Sequence, residues 1–328
     1  MRIFDWHCDS IIDNVMFFDQ TLAKNDGQVD LPRLQAGGAF VQLFALFGFH
    51  EPRGYKGHAD DPYQGKLYTP WEHVQLQYDV FCREMKAFSD RIALATSVSD
   101  ILENEKMGKI SALLSLEGGI PTEGKMERID ALYDMGVRLI TLTWNYETPF
   151  GYPNSKDPDI MSRGLKPFGI EAIGYMNEKG ILIDVSHLSD GGFYDVAKYS
   201  KKPFIASHSC CRALCDHPRC MTDDMLKTIG DAGGVVGVNF YSYFLNEGCE
   251  YTSIDDVVRH ARHIADKAGI EALAFGSDFD GIQGSILEFE DYAGMPRILQ
   301  AMEKHFTSAQ MELICRENSM RIFRDVVG

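Results

Sequence analysis

Ile3-Phe4-Asp5-Trp6-His7-Cys8-Asp9-Ser10 reads as a short buried strand that ends in chemistry. Ile3, Phe4 and Trp6 supply apolar bulk close behind Met1, and His7 and Asp9 follow at the C-terminal end of the run. On an extended chain residues i and i+2 point to the same side, so an imidazole and a carboxylate at this spacing can converge on one cation. A lone His-x-Asp pair arises often by chance; repetition of the pattern is what gives it weight. Glu117 closes Leu113-Leu114-Ser115-Leu116-Glu117, His187 closes Ile183-Asp184-Val185-Ser186-His187, His208 closes Ile205-Ala206-Ser207-His208, and Asp278 closes Phe275-Gly276-Ser277-Asp278. Candidate ligands or proton carriers therefore stand wherever these short apolar runs end.

Strand-like runs lie near residues 2–6, 40–47, 110–116, 139–143, 181–185, 203–206, 234–240 and 273–275. Helix-like segments separate them, near 71–88, 126–135, 165–179, 189–199, 222–232 and 253–268, with Asp30 as an earlier cap and Pro32 in its first turn. Alternation predicts a parallel sheet with helical crossovers, and eight repeats predict closure into an α/β fold of the (β/α)8 TIM-barrel type. The run 92–96 has no place in that count and is expected as an extra piece ahead of the third barrel strand. An open doubly wound sheet is the alternative, yet no Gly-x-Gly-x-x-Gly follows a strand and no Walker-type lysine loop is present. A barrel sets every strand's C-terminal end on one face, which would gather the candidate residues there.

The chain has 328 residues, 45% of them hydrophobic, and a formal net charge of −16. This suffices for a large core, and residues 1–328 are expected to form a single catalytic barrel domain. A loop insertion at about 48–70, rich in Gly, Pro, His and Asp, is expected as a lid or pocket wall, and closing helices at about 296–324. The acidic balance argues against nucleic acid and against an anionic membrane surface as partners. The first strand leaves no room for a signal peptide and no apolar run reaches about 18 residues, so a cytoplasmic location is expected. A homodimer is left open.

In that setting the eight cysteines are expected as reduced thiols. Cys210, Cys211, Cys215 and Cys220 cluster beside His208 and His217, but their irregular spacing lacks a Cys-x-x-Cys pair, which weakens a structural-zinc reading. Of His50, His58, His73, His217, His260, His263 and His305, most are expected to be ordinary solvated residues. His260 and His263 share a helical face, but that helix belongs on the outside of the barrel, so neither is taken as a ligand.

Two metal ions a few ångströms apart need a bridging anion, and a carboxylate with two oxygens serves. Glu117 lies between the strand ends of His7 and Asp9 on one side and His187 and His208 on the other. One metal could take His7, Asp9 and Glu117, the second Glu117, His187 and His208. Nitrogen and carboxylate ligands suit zinc, with manganese and cobalt compatible. A water shared between two divalent ions becomes hydroxide near neutral pH and can attack an amide carbonyl.

His7-x-Asp9, Leu116-Glu117-Gly118, Asp184-Val185-Ser186-His187, Ser207-His208-Ser209, Arg219 and Gly276-Ser277-Asp278-Phe279-Asp280-Gly281, in this order, resemble the renal (membrane) dipeptidase family of binuclear zinc peptidases. Asp30-Leu31-Pro32-Arg33-Leu34 and Val238-Asn239-Phe240-Tyr241 extend the likeness, which covers residues 7 to 281. The resemblance implies a barrel of the metallo-dependent hydrolase kind that cleaves dipeptides through the ligand set above, with C-terminal D-residues among its substrates. It also implies that Arg219 pairs with the substrate's C-terminal carboxylate and that Asp278 acts in proton transfer. Both roles make physical sense: a fixed guanidinium grips a carboxylate through two parallel hydrogen bonds, and a carboxylate beside the nucleophile can relay its proton. The duller readings are an Arg219 that bridges a surface acid, an Asp278 that only orients a ligand imidazole, and an Asp280 that is structural support.

One departure stands out. The family pattern after the fourth strand runs Thr-Leu-Thr-His, with the histidine stabilising an oxyanion, whereas here Thr141-Leu142-Thr143 is followed by Trp144. An indole N–H donates one hydrogen bond but carries no positive charge. Trp144 and Tyr241 are therefore read as substrate-pocket residues, though 241–244 matches the pattern only partly. Two competing functions remain, another binuclear hydrolase acting on a non-peptide amide or lactone, and a metal-binding protein with little turnover. His-x-Asp in place of His-x-His, with Glu117 in place of a modified lysine, favours the dipeptidase over the first; intact Arg219 and Asp278 weigh against the second.

Overall fold

Eight parallel strands pair in sequence order and close on themselves. They are β1 (Ile3–Cys8), β2 (Ala39–Phe47), β3 (Ile110–Glu117), β4 (Val137–Thr141), β5 (Leu182–Asp184), β6 (Ile205–Ser209), β7 (Val235–Val238) and β8 (Leu273–Phe275), and β8 returns to β1 at Asp5 and Phe275. The computed structural model describes residues 1–54 and 66–328. The expected (β/α)8 barrel is thus the fold, and strand limits differ from the sequence reading by a few residues. The unplaced run at 92–96 is a short strand, Ile92–Leu94, paired with Ile110–Ala112 of β3. β4 pairs with β3 only from Leu114 onward, and β2 occupies the other flank. The extra strand therefore fills the edge that β4 starts too late to cover.

Alternation along the strands sorts the side chains. Phe4, Trp6, Val41, Leu43, Leu113, Leu139, Leu182, Ile205, Val235 and Ala274 form one buried cluster that fills the barrel, while Phe44, Leu114, Leu116, Ile140, Ile183, Val236 and Phe275 face the helices. Leu113, Ser115 and Glu117 share the inward parity of β3, which carries Glu117 to the top of the filled interior. The opposite end is plugged: Met320, Ile322, Phe323 and Val326 join the inner cluster, and Trp6 Nε1 donates to Ser319 Oγ at 2.8 Å.

The outer layer includes α1 (Leu31–Gly37), α2 (Pro70–Ala87), α3 (Val98–Lys106), α4 (Met126–Asp134), α5 (Pro167–Lys179), α6 (Asp190–Tyr199), α7 (Asp223–Asp231), α8 (Ile254–Ala268) and α9 (Met295–Met302), with α10 (Asn318–Val326) as the plug. Asp30 caps α1 as expected, its side chain accepting from Arg33 N at 2.9 Å. The sequence reading omitted α3, whose buried face is only Val98, Ile101 and Asn104. Within the closing helices expected at about 296–324, a π-helical turn at Leu313–Glu317 precedes α10.

The lid expected at 48–70 falls partly on residues 55–65, outside the described residues; at its margins Arg53–Gly54 pairs antiparallel with Leu67–Tyr68. His73 and His260, expected as solvated, are fully buried. Among the described residues no helix is long and apolar enough to cross a membrane.

Candidate metal and active site

β1 is irregular in its pairing with β2 between Asp5 and Cys8. A bulge of this kind breaks strict alternation and re-aims a side chain. Trp6 therefore packs in the inner cluster while His7, next in sequence, reaches the barrel mouth. Asp5 locks the region from below, its carboxylate accepting from Ser277 N at 2.8 Å and Ser277 Oγ at 2.5 Å. The backbone bends sharply at the mouth: His187, Asp278 and Asp280 adopt φ values of 66°, 63° and 67°. Non-glycine residues held in the left-handed region gather where surrounding structure enforces a functional geometry. Gly281 is required by close approach, since a Cβ there would collide with the carboxylates of Asp9 and Asp278.

Glu117 stands at the centre, 2% exposed, and presents a different oxygen to each side. Its Oε2 lies 3.7 Å from His7 Nε2, which is also 3.7 Å from Asp9 Oδ2 and 3.7 Å from Asp278 Oδ1. Its Oε1 lies 3.2 Å from His187 Nε2 and 3.4 Å from His208 Nε2, and those two nitrogens are 3.1 Å apart. The His7 and His208 rings stack at 3.8 Å. All six candidates from the strand ends are thus brought together.

Neighbours fix the imidazole tautomers. Asn145 Oδ1, which can only accept, lies 3.2 Å from His187 Nδ1, so Nδ1 carries the proton. Ser207 Oγ donates to Asp184 Oδ2 at 2.6 Å and is 2.7 Å from His208 Nδ1, which therefore donates to it. Asp184 is held in turn by Thr141 Oγ1 at 2.6 Å and by the amides of Ser186 and Ser207. Both Nε2 atoms then expose bare lone pairs toward each other and toward a carboxylate, which is repulsive unless a cation lies between them.

The charges tell the same story. Burial pushes both His187 and His208 well below the ordinary imidazole range, aided by the positive charges of Arg219 and His7. Burial raises Glu117 well above the carboxylate range, and Asp9 and Asp278 add to it. Burial alone would lower His7, yet Glu117, Asp9 and Asp278 hold it up to about 10. Among the described residues neither ring nitrogen of His7, nor Asp9 Oδ1, has a hydrogen-bond partner. Three buried carboxylates around an imidazole whose nitrogens lack partners are a donor set that fits divalent cations, which would take the place of the proton on His7.

Asp278 is pushed up to about 6, first by burial and then by Asp9, against the lowering influence of His7, Asn239 and Arg219. Asn239 Nδ2 donates to its Oδ2 at 2.7 Å. Its other oxygen is too far from His7 for a hydrogen bond, so Asp278 does not orient that imidazole. Arg219 is 5% exposed, which removes the surface-acid reading. Its Nη2 donates to His208 O at 2.8 Å and Nη1 to Ser209 Oγ at 3.2 Å, while buried Nε has no partner among the described residues. Asp280 accepts from Ser10 Oγ and Gln28 N, in keeping with structural support.

A cavity of about 480 Å3 opens over the cluster, with Asp9, Glu117, His187 and Asp278 at its floor and Phe47, Phe49, Trp144, Tyr241 and Phe244 among its walls. Trp144 packs edge-on against Phe47 at 4.9 Å. Arg219 is set back from this wall, its guanidinium 5.5 Å from the Phe244 ring. A hollow of about 530 Å3 bounded by Arg259, Arg262, His263 and His305 lies on the outer helices and holds none of the candidate residues. The eight cysteines are free thiols, and among the described residues no metal-competent group includes one. Sequence reasoning missed Asn145 and Asn239 as orienting residues, and the aromatic wall of Phe17, Phe47 and Phe49 altogether.

Residues 1–327 match the family described as Membrane dipeptidase (Peptidase family M19). An uncharacterized dipeptidase of Schizosaccharomyces pombe is 31% identical over 300 residues, covering 90% of this chain and 71% of the relative. The dipeptidase tcpJ of Claviceps purpurea is 27% identical over 301 residues, covering 92% and 69%. Among solved structures, a metallo peptidase described as dipeptidase AC superposes with TM-score 0.88 at 25% identity over 100% of this chain and 99% of its own. A metallo peptidase from Rhodobacter sphaeroides, bound to a phosphinate mimic of L-Ala-D-Ala, superposes with TM-score 0.84 at 23% identity over 99% of both.

Proposed function

The chain belongs to the membrane dipeptidase family and is a metallodipeptidase, and from that premise we propose that it works with two divalent cations, zinc by ligand type, shared through Glu117. The carrying observation is the split of the Glu117 carboxylate, with Oε2 toward His7 and Asp9 and Oε1 toward His187 and His208. Bound there, the cations would activate a water as nucleophile and polarise the scissile carbonyl. Asp278, pushed up to about 6 by burial and fixed by Asn239, takes the proton and returns it to the leaving amine. Arg219, with Nε unspent, receives the C-terminal carboxylate and so selects free dipeptides over longer chains. Trp144 and Tyr241 wall the pocket around the substrate. As the family resemblance implies, the proposal includes a C-terminal D-residue.

The test combines metal analysis with turnover of L,L and L,D dipeptides. About two divalent ions per chain are expected, since five ligands with one shared carboxylate suit a pair. Glu117→Ala is expected to lose both ions together and His7→Ala to deplete one. Retention of a single tight ion at full activity, or equal depletion in both variants, would overturn the shared-carboxylate reading.

A further inference from the structure

Arg219 and Arg53 stand on opposite sides of the barrel mouth. Arg219 follows β6 and bonds to its residues His208 and Ser209, whereas Arg53 follows β2. In a closed ring of eight strands β2 and β6 are four places apart, with the Glu117 cluster between them. Arg53 lines the cavity. Its guanidinium lies 4.7 Å from the Phe49 ring and 5.7 Å from the Phe17 ring, and its backbone is held by pairing with Tyr68. Among the described residues no carboxylate pairs with Arg53, the ion pairs nearest it in sequence being those of His50 and Lys66, in a chain whose net charge is −16.

The platform beneath Arg53 is rigid. Gln77 clasps Phe47, its Oε1 accepting from Phe47 N at 2.6 Å and its Nε2 donating to Phe47 O at 2.9 Å. Gln77 Nε2 also lies 3.2 Å from His73 Nδ1, so that nitrogen accepts and Nε2 carries the proton. The His73 ring meets Phe49 edge-on at 4.5 Å and Phe17 at 6.1 Å. A guanidinium stacked on a fixed aromatic face keeps its planar fork of donors free for a carboxylate.

We propose that Arg53 is a specificity residue that selects dipeptides with an acidic N-terminal side chain. This rests on the dipeptidase reading, with the C-terminal carboxylate at Arg219 and the scissile bond over Glu117. The N-terminal residue then points to the β2 side, where an aspartyl or glutamyl side chain meets Arg53 and its methylenes lie on Phe47 and Phe49.

The test compares kcat/KM for Glu-Ala, Gln-Ala, Ala-Glu and Ala-Ala in the metal-loaded wild type and in Arg53→Met. Because Arg53 is exposed, the wild type is expected to favour Glu-Ala over Gln-Ala by only about three- to tenfold at low salt, less at high salt. Arg53→Met is expected to remove that ratio while leaving Gln-Ala and Ala-Ala within about twofold, and Arg53→Glu to favour Lys-Ala instead. A wild-type ratio near one, persistence of the ratio in Arg53→Met, or dependence on Arg53 for Ala-Glu in place of Glu-Ala would overturn the assignment while Ala-Ala turnover upheld the dipeptidase reading. Failure to cleave any of the four would overturn both.

Discussion

By the family resemblance Trp144 stands where a histidine is expected, and its surroundings indicate what that exchange would do. The indole packs edge-on against Phe47 and lies 6.2 Å from the His187 ring, so it extends the aromatic wall toward the ligand cluster. The two proposed cations would supply most of the stabilisation an oxyanion needs, and a single donor would then be a minor addition. Trp144→His is expected to change kcat on a good dipeptide by less than tenfold, or about 1.4 kcal/mol. A gain of a hundredfold or more would show the missing donor to be limiting. His7, Asp9, Glu117, His187, His208 and Asp278 were legible because each ends an apolar run, a signal carried by local sequence. Asn145 and Asn239 were not, because an orienting amide is recognised only by the group it meets after folding. Ser207 was visible as part of a motif, but its link between Asp184 and His208 depends on β5 and β6 lying side by side.

Among the elements, α8 shows how an expected solvent-facing helix can hold up the loops behind the site. His260 Nδ1 accepts from Cys211 N at 3.1 Å, and Nε2 donates to Leu245 O at 3.0 Å. One imidazole thereby ties the segment after β6 to the segment after β7, which is why it is buried where spacing alone suggested a surface pair with His263. Periodicity places a residue on a face; it does not say what chain will cover that face. Burial lowers His260 to about 4 against an ordinary 6.5, so the unfolded chain binds the extra proton between those values. The stabilisation is complete above about pH 6.5 and is lost as pH falls toward 4, at most roughly 3 kcal/mol. Urea unfolding at pH 7 and pH 4.5 is expected to show His260→Gln less stable at pH 7 but losing less on acidification, by about 1 to 3 kcal/mol. Equal losses in variant and wild type would remove His260 from the acid sensitivity. The same limit explains α3 and the π-helical turn: few apolar residues mark the first, and nothing in the periodic pattern marks the second.

The whole molecule separates stability from chemistry along the barrel axis. Eight alternations of strand and helix were enough to read the closed barrel, because a parallel sheet with crossovers must either close or leave exposed edges. The plug was not legible, since the last helix-like segment gave no sign that it turns under the barrel. There Phe323 lies 6.5 Å from Phe4, and with Met320, Ile322 and Val326 it completes the inner cluster at the end where the strands begin. The candidate ligand cluster sits at the other end, where they finish. Truncating Phe323 would leave a void among Phe4, Trp6 and Phe40 that the closed strands cannot collapse to fill. Phe323→Ala is therefore expected to cost about 3–5 kcal/mol, a large share of the roughly 5–15 kcal/mol that holds a typical domain. Urea unfolding of the metal-loaded protein should show the lower midpoint. Metal content, kcat and KM of the folded fraction should stay within about twofold, because no ligand or wall residue touches the void. A variant of unchanged stability would mean that the plug adds little to the fold, and one that folds but loses its metals would mean that the two ends of the barrel are coupled.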